Sequence, residues 1–93
     1  MGKIYKGDVG TEIILDTGEP LADATVHNIA YKNASSTGVF VGEVVETTKI
    51  RYITTSTDDL DVAGDWKFQP IVTLPSWSGR GETAVRAIYD DFG

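Results

Sequence analysis

Over residues 65–74, "DWKFQPIVTL", the side chains change character with a period of two. Trp66, Phe68, Val72 and Leu74 fall on one side with Pro70 among them, and Lys67, Gln69, Ile71 and Thr73 fall on the other. Successive side chains of an extended chain point to opposite faces, so this pattern predicts a strand with one buried face, anchored in the core by Trp66 and Phe68. Proline has no N–H to give to a sheet ladder. Pro70 therefore predicts an edge strand, or one bulged at that point, with unpaired main chain open to a partner.

Similar segments recur about every ten residues, and no stretch has the spacing of an amphipathic helix. Strands are expected at residues 3–5, 11–15, 24–31, 39–46, 49–55, 65–74 and 82–89. Their separators carry turn chemistry: "DTGEP" with Gly18 and Pro20, the polar "KNASSTG", and "SWSGRG" with two glycines. Seven short strands in a chain of 93 residues predict an all-β protein, a single immunoglobulin-like β-sandwich domain over residues 1–93. Residues 49–53 and 85–89 place apolar side chains on both faces, as expected where another chain covers the outer surface.

Fourteen Asp and Glu against eight Lys and Arg leave a net charge of -6, which repels phosphate backbones and argues against nucleic acid or anionic membrane as a partner. There is no cysteine, so disulfides, thiolate nucleophiles and Cys-based zinc sites are excluded. "MGKIYKGDVG" holds no apolar core of a secretion signal, and Lys6 stands where a myristoylation signal requires Ser or Thr. Synthesis in a cytoplasm is the expectation.

The acidic run "DDLDVAGDW" begins with calcium-loop spacing. Counted from Asp59, however, the fifth and twelfth loop positions hold Ala63 and Pro70, where oxygen ligands are required. An irregular calcium site on Asp58, Asp59, Asp61 and Asp65 is a weaker alternative to a plain corner. In the corner reading Leu60 plugs the end of the core, Asp61 caps the turn and Gly64 reverses the chain into the Trp66 strand.

No other pattern carries chemistry. His27, the sole histidine, has no nucleophile motif to serve and is expected on a strand surface. "GRGE" lacks the length and the Lys-Ser/Thr of a phosphate loop, and Asn33-Ala34-Ser35 matches a glycosylation sequon only as a short pattern. No catalytic residue, cofactor or metal is assigned. Trp77, between two serines and close to Arg80, is expected at a loop tip, where it suits a protein-binding hot spot or stacking on a sugar ring. Trp77, Arg80 and Pro70 make up the candidate interaction surface.

The segments "IYKGDVGTEIILDTG", "ATVHNIAYKN", "DLDVAGDWKFQPIVTLPSWSGRGE" and "AVRAIYDDF" together resemble the small immunoglobulin-like domain of bacteriophage tail and baseplate proteins. The family named by this resemblance is the N-terminal domain of the phage baseplate upper protein. It is similar in a Gly-Asp step before a first strand, here Gly7-Asp8, and in a Leu-x-x-Ala-Gly-x-Trp/Tyr corner, here Leu60, Ala63, Gly64 and Trp66. The resemblance implies a noncatalytic structural or assembly module of a phage or prophage virion. Its partners would be itself or another phage structural protein. The alternative is a carbohydrate- or host-surface-binding sandwich, with Trp77 stacked on a sugar and Arg80 and Asp91 bonded to it. A small hydrolase rests only on the acids around Asp59 and Asp61.

Overall fold

The computed structural model describes residues 4–90, which form nine strands and no helix. In chain order these are β1 (Ile4–Tyr5), β2 (Glu12–Asp16), β3 (Val26–Lys32), β4 (Thr37–Val41), β5 (Glu43–Val45), β6 (Lys49–Ile53), β7 (Gly64–Leu74), β8 (Trp77–Arg80) and β9 (Ala84–Tyr89). They build a six-stranded sheet in the order β1-β9-β7-β3-β4, with β8 also paired to β7, and a three-stranded sheet in the order β2-β6-β5. All pairs are antiparallel except β1 with β9.

One core lies between the sheets. The large sheet sends in Ile29, Phe40, Trp66, Phe68, Val72 and Ile88; the small sheet sends in Ile13, Leu15 and Ile50; the connections add Leu21 and Leu60. The predicted faces of the Trp66 strand hold, with Trp66, Phe68, Pro70 and Val72 buried in alternation. Aromatic rings run through the core as a stack: Phe68 to Trp66 (6.0 Å), Trp66 to Tyr31 (5.3 Å), Tyr31 to Phe40 (4.6 Å) and Phe40 to Tyr52 (4.4 Å). Tyr52 belongs to the small sheet, so the stack ties the two sheets together. Each such pair adds about 0.5–1.5 kcal/mol beyond its buried area.

Nine strands replace the seven expected, for two local reasons. The segment expected as one strand over residues 39–46 divides at Gly42, where the chain leaves the large sheet as β4 and enters the small sheet as β5. A Cβ on Gly42 would stand 2.3 Å from Ile50 Cγ2 and 3.1 Å from the carbonyl oxygen of His27, so the passage admits only a glycine. "SWSGRG", expected as a loop, contains β8. Leu74 pairs with Trp77, leaving Pro75 and Ser76 as a two-residue hairpin turn.

The edge expected at Pro70 is overturned. β7 lies inside the large sheet, with β3 on one side and β8 and β9 on the other, and the Pro70 side chain is fully buried. The extra residue is present, but in the segment that joins β8 to β9: Ile71 pairs with Arg80 and Phe68 with Ala84, so three residues face Gln69 and Pro70. There the Gly81 N–H donates to the Pro70 carbonyl (3.0 Å) and Gln69 Nε2 donates to the Gly81 carbonyl (3.0 Å). The ladder is interrupted where proline has no N–H to give. Pro70 is thus a core residue and leaves the candidate surface.

Candidate interaction surface

At the acidic corner Leu60 and Trp66 are buried, the Trp66 indole N–H donates to the Val62 carbonyl at 2.7 Å, and Gly64 takes a φ of 120°. The cap is Asp59 and not Asp61, which is exposed. Asp59 Oδ2 accepts from the Tyr52 hydroxyl (2.8 Å) and from the N–H groups of Thr55 (2.9 Å) and Ser56 (3.3 Å). Partial burial opposes ionisation of Asp59, but hydrogen bonds from Thr55, Tyr52 and Ser56 together hold its pKa below the ordinary 3.8. The Ser56-x-x-Asp59 spacing was the available sequence signal for this cap. Among the described residues no group of three or more His, Cys, Asp or Glu is placed to hold a metal ion. The hydrogen bonds of Asp59 and Trp66 hold the turn in place.

Trp77 and Arg80 do not share a face. Trp77 pairs with Leu74 and Arg80 with Ile71, and these two β7 residues point to opposite sides of the sheet. The Trp77 ring lies over Gly79, where an added Cβ would come within 2.8 Å of the ring, and the residue stays 46% exposed. It overlooks an open hollow of about 700 Å³ that Arg80 also borders, together with Asp16, Glu19 and Glu82. Arg80 lies 3.5 Å from Gln69 Oε1 on the outer side of the large sheet. Asp91 lies outside the described residues.

His27 and Asn33 are held by the backbone. His27 is half-buried, with Nδ1 2.8 Å from the Gly42 carbonyl, at the point where the chain changes sheets, and so is not the surface residue expected. Asn33 is buried, its Oδ1 accepting from the N–H groups of Ser35 and Ser36 (2.8 Å each), which takes the sequon out of reach as folded.

Sequence reasoning missed Lys32 and Lys67, which join Arg80 on the outer face of the large sheet. Lys32 of β3 stands directly opposite Lys67 of β7, and Arg80 of β8 stands opposite Ile71. These three cations border a hollow of about 410 Å³ floored by Ala30, Gln69 and Ile71. Neither lysine makes an ion pair among the described residues. Beside them runs β4, at one edge of the sheet. Its sequence, Thr-Gly-Val-Phe-Val, carries no charge and no proline, and Val39 and Val41 are 50% and 75% exposed. The Gly81 bond turns the Pro70 main chain toward β8, so alternation across β7 and β3 turns the main chain of Val39 and Val41 outward.

A scan of protein-family models matches none, and searches of characterised proteins and of solved structures return no significant match.

Proposed function

We propose that this chain is a noncatalytic assembly module that works through protein–protein contacts, with the connectivity of an immunoglobulin-like sandwich. Three features support that fold: the parallel pairing of β1 with β9, the separate β2-β6-β5 sheet, and the buried Trp66 closing a corner onto Val62. The observation that carries the function is the β4 edge. Free sheet edges are usually blunted by charge, proline or a bulge; β4 has none of these, while its two valines and their main chain face outward. Such an edge accepts a strand from a partner, whose backbone provides affinity and whose side chains give register.

The setting we propose is a phage or prophage particle, in its tail, baseplate or another virion component, after synthesis in the bacterial host cytoplasm. This rests on the Leu60, Ala63, Gly64 and Trp66 corner within a pattern that spans nearly the whole chain. The test follows a tagged chain through particle purification, alone and as Val39→Lys with Val41→Lys. The wild type is expected to co-purify with particles and the folded double variant to be lost from them. Wild-type particles without the chain would end the particle assignment.

A carbohydrate-binding reading draws on one further observation. Trp77 presents a half-exposed ring beside the carboxylates of Asp16, Glu19 and Glu82, an aromatic platform next to hydrogen-bond acceptors. Glycan titration of wild type and Trp77→Ala separates the readings: a response in the wild type that the variant lacks favours the sugar site, and no response removes it.

A further inference from the structure

We propose that the cationic outer face of the large sheet receives the acidic outer face of the small sheet of a second copy, so that copies associate head to tail. The proposal rests on the assembly reading and names its partner as this same chain. On the large sheet the strand positions facing outward carry Lys32, Lys67 and Arg80 against a single carboxylate, Asp65, around an apolar centre of Val39, Ala30 and Ile71. This is a local excess of positive charge in a chain whose net charge is -6.

The small sheet carries a smaller excess of the opposite sign, three acids against two cations at its outward strand positions. Register places Glu12, Ile14 and Asp16 of β2, Lys49, Arg51 and Ile53 of β6, and Glu43 of β5 on its outer face. Ile14 on the edge strand β2 and Ile53 at the end of β6 are 41% and 42% exposed. Arg51 is already engaged, its Nη1 3.4 Å from Glu12 and its Nε 2.8 Å from Glu43, and Lys49 is paired with Glu46 at 2.9 Å. Those acids keep free oxygen lone pairs for a second cation, whereas Lys32 and Lys67 have no acid within ion-pair distance among the described residues.

Two faces of opposite net charge, each with exposed apolar side chains, are complementary to each other. Two large-sheet faces brought together would juxtapose Lys32, Lys67 and Arg80 with their own copies, so a two-fold dimer through that face is disfavoured. Contact between unlike faces is heterologous. It leaves one free face of each kind at the ends and continues into rings or open stacks.

The test uses the full chain and two double variants, with folding checked by circular dichroism. Lys32→Glu with Lys67→Glu reverses the large-sheet face and leaves the other intact; Glu12→Lys with Glu43→Lys does the opposite. Light scattering over a concentration series is expected to show wild type growing beyond a dimer, more weakly at high salt. Each double variant alone is expected to dissociate at least about tenfold more readily. Their mixture restores two contacts, unaltered face to unaltered face and reversed face to reversed face, so the two variants should again grow beyond a dimer, in alternation.

If Glu12→Lys with Glu43→Lys fails to fold once Arg51 loses its partners, Glu12→Gln with Glu43→Gln replaces it, with the same expected loss of self-association. A wild type that stays monomeric at about 1 mM would overturn the proposal while leaving the particle-incorporation test of the assembly reading unaffected. Association unchanged in both double variants would also overturn it and would move the contact to the β4 edge.

Discussion

Lys32 and Lys67 stand directly opposite each other on neighbouring antiparallel strands, with no ion pair to either among the described residues. Like charges in that relation oppose sheet formation by a few tenths of a kcal/mol up to about 1 kcal/mol. Replacing one with an acid converts the repulsion into a cross-strand ion pair. Lys32→Glu is therefore expected to raise stability by about 0.2–1 kcal/mol in denaturant melts while weakening self-association in the same preparation. A variant both less stable and equally associated would show that Lys32 serves no interface.

Gly42 marks where the chain passes from one sheet to the other, against Ile50 Cγ2 and two carbonyl oxygens. A methyl group there must displace the wholly buried Ile50 or separate the sheets. Gly42→Ala is expected to cost about 1–3 kcal/mol by urea denaturation, since overpacking a close-fitting site is paid for in strain.

Trp66 joins Phe68 to Tyr31 in the aromatic stack and donates to Val62. Trp66→Phe keeps a ring but shrinks it and leaves the Val62 carbonyl without this donor. A loss of about 2–4 kcal/mol is expected, with a fall in near-ultraviolet circular dichroism. Trp77→Phe, at an exposed site, is expected to stay within about 0.5 kcal/mol of wild type.

Asp59 gives the corner its pH dependence. Its folded pKa lies below the ordinary 3.8, so folding favours the carboxylate. That stabilisation is complete above the unfolded value and is lost as pH falls through the lowered folded value. Asp59→Asn is expected to be less stable at pH 7 by about 1 kcal/mol, with an amide replacing a charged acceptor, and to show a flatter acid limb below about pH 4. Thermal melts at pH 7, 4 and 2.5 measure both. Parallel acid limbs in the two proteins would show that Asp59 makes no difference to folding through its charge.

What the sequence determined by itself was local. The two-residue period of the Trp66 strand told which side chains face inward, and the Leu60, Ala63, Gly64 and Trp66 spacing located the corner, because face and turn depend on neighbours a few residues away. Tertiary structure alone decided which strand lies beside which. Pro70 was consistent with an edge or a bulge until β8 and β9 were seen to flank it with an extra residue between them. Lys32 and Lys67 are 35 positions apart (67 minus 32), Val39 and Arg80 are 41 apart (80 minus 39), and they converge only through register. A strand's alternation specifies its faces but not its neighbour, so a surface assembled across four strands is written in the pairing of the chain and in no single stretch of it.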